Sequence, residues 1–65
     1  MVKYEDVTVK LIGEDGNAFN LIGLVNRGIR DVHGADAAKE FADAAMGSES
    51  YDALLALIQE TVHVI

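Results

Sequence analysis

Val7-Thr8-Val9-Lys10-Leu11-Ile12-Gly13-Glu14-Asp15-Gly16-Asn17-Ala18 (residues 7–18) is where the chain changes its hydrophobic period, and the fold class turns on that change. Over Tyr4–Ile12 the residues alternate, with Val7, Val9 and Leu11 to one side and Thr8 and Lys10 to the other. Such alternation, rich in β-branched residues, predicts a half-buried strand, because successive side chains point to opposite faces. Gly13-Glu14-Asp15-Gly16 ends it with turn-forming residues. Asn17 or Asp15 is then placed to cap a helix by accepting a backbone N–H. From Ala18 the apolar positions become Ala18, Leu21, Ile22, Val25 and Ile29, steps of three and four that mark one face of a helix.

Working outward, His33-Gly34 ends this first helix, with Gly34 a natural left-handed stop. Asp36 is a fair cap for a second helix reaching about Met46, with Ala38, Phe41, Ala42 and Ala45 on its inner face. Gly47 and Ser48 break it, and Ser50 caps a third helix whose first turn carries Asp52, favourable at the positive end of the helix dipole. Tyr51, Leu54, Leu55, Ile58 and Val62 give that helix its apolar positions. The alternating Val62–Ile65 reads as a short strand that returns to pair with the first. The expected fold is therefore α+β, a β-α-α-α-β domain with a two-stranded antiparallel sheet covered by three helices. No proline, linker or internal repeat marks a boundary, so residues 1–65 read as a single domain.

Composition narrows the function classes. Hydrophobic residues make up 51% of the 65, enough for a core and against a disordered chain. A domain this small has a thin stability margin, and with no cysteine it has no disulfide to widen it. The formal net charge is −6, from eleven acids against five bases. Five scattered bases (Lys3, Lys10, Arg27, Arg30 and Lys39) give a poor footprint for a polyanion, so no nucleic acid is expected as a partner. The same deficit argues against a membrane-surface helix, and no run approaches the roughly 18 apolar residues of a membrane span. Met1–Asp6 has two acids and no hydrophobic stretch, unlike a signal peptide, and a cytoplasmic location is the expectation.

No catalytic constellation is visible. His33 and His63 stand thirty residues apart, without the short ligand spacings of a zinc site. Ser50 is more simply a cap than a nucleophile, and the hydroxyls of Ser48, Ser50, Thr8 and Thr61 make no nucleophile-and-base set with a histidine that the sequence reveals. Glu14, Asp15 and Asn17 offer oxygen ligands but fall short of a calcium loop. No enzyme, cofactor or metal is expected. Small, acidic and helical chains invite comparison with acyl carrier proteins, whose Asp-Ser-Leu at a helix start is missing here.

Val9-Lys10-Leu11-Ile12-Gly13-Glu14-Asp15-Gly16-Asn17-Ala18-Phe19, followed by Leu21-Ile22-Gly23 and later by Tyr51-Asp52, resembles a group of short uncharacterised bacterial and phage proteins. Their shared signature is a strand, then Gly-x-Asp-Gly-Asn-Ala-Phe, then a helix. The resemblance runs over most of the chain and is firmest in its first third. It implies a fold-sized unit and carries across no activity and no catalytic residue.

The leading functional expectation is a protein-interaction module, acting by self-association or by docking a partner. Phe19 and Leu24 lie off the apolar stripe of the first helix, and Thr8 and Lys10 lie on a strand whose open edge could pair with another strand. If that strand pairs with its symmetry mate, a homodimer with a four-stranded sheet forms. The alternative is a small-molecule or anion binder using the Gly13–Phe19 turn, with Asp15, Gly16 and Asn17 at the start of the helix. A third reading is nucleic-acid mimicry through Asp36, Glu40 and Asp43, spaced along one side of the second helix.

Overall fold

The computed structural model describes residues 2–65; Met1, the first residue of the segment read for a leader, lies outside them. Strand β1 (Tyr4–Val9) is followed by helices α1 (Ala18–His33), α2 (Ala35–Met46) and α3 (Tyr51–Thr61), and strand β2 (Val62–Val64) closes the order. The three helices begin where local chemistry satisfies their first N–H groups. The Asn17 side chain accepts from the Phe19 amide at 2.9 Å, and Ser50 Oγ accepts from the Ala53 amide at 3.0 Å. Gly34, at φ 94°, ends α1 and opens α2 in one residue, a backbone conformation that side chains disfavour. Asp36, expected as the cap of α2, sits instead in its first turn, where it still favours the helix dipole.

The antiparallel sheet expected from the sequence is corrected to a parallel one. Tyr4 pairs with Val62, Thr8 with His63 and Val9 with Val64, all in the parallel sense. The cause is the number of reversals between the strands. Gly16, beyond the end of β1, is bonded to Tyr51 at the start of α3, while Glu60 at the end of α3 accepts from the Lys3 amide at 2.9 Å. α3 therefore runs back along β1, as α1 does on its way from Asn17 to His33, whose ring meets Asp6. Three helices, each reversing the chain, return it to the end where β1 began, and β2 has to run the same way. A parallel pair requires just such a long crossover.

The pairing is irregular. Between Tyr4 and Thr8 the register slips, four steps on β1 against one on β2. The strand expected to reach Ile12 ends at Val9, because β2 supplies three residues for it to pair with. Beyond it Ile65 still donates its amide to the Val9 carbonyl (3.0 Å), and its own carbonyl accepts from the amides of Leu11 (2.7 Å) and Ile12 (3.2 Å).

The core lies between the sheet and the helices. Val7 and Val9 meet Val25 and Ile29 of α1, Ile58 of α3 and Val62, all buried, while α2 packs chiefly on α1 and contributes Ala38, Phe41 and Ala45. Helix α1 comes close to β1 at Gly28: a Cβ there would stand 3.0 Å from Val9 Cγ2 and 3.4 Å from Val7 Cγ1. At Gly23 a Cβ would meet nothing within 4 Å, so close packing accounts for one of these two glycines and not the other. Thr61 is the buried polar residue, and its hydroxyl donates to the Leu57 carbonyl at 2.6 Å. Among the described residues no buried side-chain nitrogen or oxygen lacks a partner.

Candidate functional site

Large apolar side chains left in water mark the surface most in need of an explanation. Phe19 is 70% exposed and Met46 61% exposed, and Tyr51 is also exposed. All three line one groove, of about 220 Å³, where α1 begins, α2 ends and α3 begins. Ile22 and the buried Leu54 form apolar wall, and Ser48 and Ser50 supply its polar edge. Local sequence explains each position. Phe19 is the second residue of α1, turned outward because Ala18 and Leu21 take the inward positions. Met46 is the last residue of α2 before Gly47, and Tyr51 is the first of α3.

The Tyr51 phenol donates to the Gly16 carbonyl and so fastens the start of α3 to the turn before α1. That turn is held from within. Asp15 Oδ1 accepts from the Asn17 amide at 3.0 Å, Asn20 Nδ2 donates to the Asp15 carbonyl at 2.8 Å, and Asn17 Oδ1 takes the Phe19 amide. The polar groups expected to receive a ligand, at Asp15, Gly16 and Asn17, are thus bonded to one another and to Tyr51. A carboxylate of the chain itself stands where an anion would be received.

The other residues singled out in the sequence fall elsewhere. Leu24 is half-buried against the core, while Thr8 and Lys10 are exposed on the face of the sheet turned away from the helices. Phe19 is not brought together with Thr8 and Lys10. Met46 and Tyr51 were missed as surface residues, Tyr51 because it reads as part of its helix's apolar stripe and Met46 because it marks only the end of its helix. The signal available for them was position, at the last and first residues of helices flanking a Gly-Ser turn.

At the opposite end of the domain, charges tie the elements together. His33 Nε2 meets Asp6 Oδ1 at 2.7 Å and its ring lies tilted by 37° against Tyr4 with centroids 4.6 Å apart, while His63 Nε2 meets Glu5 Oε2 at 3.0 Å. The His33 hydrogen bond holds the Asp6 carboxyl below its ordinary range. Lys3 Nζ donates to Glu40 Oε1 at 2.9 Å, and that bond raises the ammonium and lowers the carboxyl. Of the acids read along α2, Glu40 is paired to Lys3 and Asp43 to Lys39 at 2.9 Å. Among the described residues, no group of three or more His, Asp or Glu side chains is placed to hold a metal ion, and no helix is long and apolar enough to cross a membrane.

Comparison of the chain with protein-family models, with curated proteins and with solved structures finds no match in any of the three.

Proposed function

We propose that this domain is a protein-interaction module that docks a partner through the groove at Phe19, Met46 and Tyr51. The observation that carries the reading is the convergence of three exposed large apolar side chains, from three different helices, on one concave surface. Isolated exposed apolar residues are ordinary, whereas a grouped and concave set is the form that protein contacts take. The groove volume, about 220 Å³, is below the roughly 300–1,000 Å³ of small-molecule sites and suits anchoring side chains better.

Hydroxyl chemistry counts against an enzyme. Ser50 Oγ is engaged as a helix cap and the Thr61 hydroxyl as a donor to Leu57, while both imidazoles face carboxylates of β1 away from the groove. The anion-binding alternative is weakened in the same way, with Asp15 and Asn17 already accepting from two of the amides at the turn.

The test is site-directed photo-crosslinking in cells expressing the chain. A photoreactive phenylalanine analogue placed at Phe19 or at Met46 should yield adducts with the same protein, and one placed at Arg27 should not. Adducts at Phe19 and Met46 no stronger than at Arg27 would overturn the reading.

A further inference from the structure

We infer that the groove receives a short amphipathic helix of another protein, with large apolar side chains flanked by Lys and Arg. The inference rests on the docking reading above and adds the chemistry of the partner. Charge comes first. The segments framing the groove carry Glu14 and Asp15 before α1, Glu49 between the lining residues Ser48 and Ser50, and Asp52 next to Tyr51. All four are exposed, and among the described residues none of them is in an ion pair. The bases are spent or placed elsewhere. Lys3 is on Glu40 and Lys39 on Asp43, Arg27 and Arg30 stand in the second half of α1, and Lys10 points away from the core. An apolar floor with a rim of one sign attracts an occupant of the opposite sign, over a screening length of about 8–10 Å at physiological salt. A second copy of this chain would bring the same acidic rim and a net charge of −6, and would be repelled.

The backbone decides the occupant's conformation. An extended peptide binds by adding its N–H and C=O groups to a free strand edge. The groove offers none, being walled by helix ends, and several of the backbone groups at those ends are already taken. Asn17 caps Phe19, Ser50 caps Ala53, Tyr51 takes the Gly16 carbonyl, and the amides of Gly47 and Ser48 donate to Ala44 and Ala45 at 3.2 and 3.1 Å. An occupant pressed against these walls has to satisfy its own backbone, and a helix does so internally.

Three synthetic peptides of about 15 residues, long enough to populate a helix, test this with the isotope-labelled domain. They share a leucine face at helical spacing and differ in the flanking residues, which are lysine, glutamine or glutamate. The lysine peptide is expected to shift the amides of Phe19, Ile22, Met46 and Tyr51, to bind about tenfold more tightly than the glutamine peptide, and to lose that advantage in high salt. The glutamate peptide is expected to bind least, and Phe19→Ser with Met46→Ser should abolish the lysine peptide's shifts while the rest of the spectrum is retained. Equal binding by the lysine and glutamine peptides at the groove would overturn the charge inference and leave the docking reading standing. Shifts from the lysine peptide spread over the acidic exterior, with the groove amides unmoved by all three peptides, would overturn both.

Discussion

The Tyr51 phenol, on the first residue of α3, donates to the carbonyl of Gly16, two residues before α1 begins. One hydrogen bond thereby joins positions 35 residues apart and fixes the distance between two walls of the groove. Tyr51→Phe removes the donor and leaves the ring in place. The expected loss is about 0.5–1.5 kcal/mol of stability, the net value of a typical hydrogen bond. Denaturant unfolding of the variant against the parent measures it, and an unchanged midpoint would mean that the contact is not formed in solution.

Gly23 and Gly28 occupy the same helix and respond to opposite demands. Alanine in a helix interior is worth up to about 1 kcal/mol over glycine. At Gly23 the added methyl meets open space, so Gly23→Ala should stabilise by roughly that amount. At Gly28 it would press on Val9 at 3.0 Å and Val7 at 3.4 Å, and overpacking of this kind costs about 1–3 kcal/mol. Gly28→Ala should therefore destabilise. Thermal melts of the two variants, expected to move in opposite directions, decide the point.

Asp6 is held by a side chain from α1. The hydrogen bond from His33 holds its carboxyl below the ordinary range, whose midpoint is about 3.9. A carboxyl lowered in the folded state adds stability at pH values above the unfolded midpoint, and that stability is lost as the pH falls through the folded one. Glu40, lowered by Lys3, acts in the same direction. The expectation is acid destabilisation beginning near pH 4, with an Asp6 midpoint that moves back up toward 3.9 in His33→Ala. Carboxyl carbon shifts followed through an acid titration of both proteins read this directly.

Ile29 is fully buried where α1 meets the rest of the core. Truncating such a side chain costs about 2–5 kcal/mol, and a domain of this size has little more than that to lose. Ile29→Ala is expected to leave the chain largely unfolded at room temperature, by circular dichroism. Phe19→Ser, at a site that contacts water, should stay within about 0.5 kcal/mol of the parent.

The helices were legible because their signals are local. The three- and four-residue spacing of Leu21, Val25 and Ile29, the caps at Asn17 and Ser50, and the stop at Gly34 each act within a turn or two of their own position. Strand direction is not local. The alternation of Val7 and Val9 and the β-prone Val62–Val64 are the same whichever way the strands pair, and only the count of reversals through α1, α2 and α3 separates the two. The groove was half legible for the same reason. Phe19 stands out within its own helix, but its meeting with Met46 and Tyr51 depends on how three helix ends converge. Leu24 shows the limit of the stripe argument, since a residue off the main face still rests against the core.

Parallel pairing of the first and last strands also decides how the domain bears load. β1 starts at the end of the sheet where β2 starts, so a pull on Tyr4 and on Ile65 drags the two strands past each other along their length. The bonds between Ile65 and Val9, Leu11 and Ile12 are then strained together rather than one after another. Attachment at Gly13 and Ile65 instead would peel the same strands apart from one end. In single-molecule stretching, where the unfolding barrier sets the response, the first geometry should hold to distinctly higher force than the second. A domain anchored through its two ends would act as a shear joint.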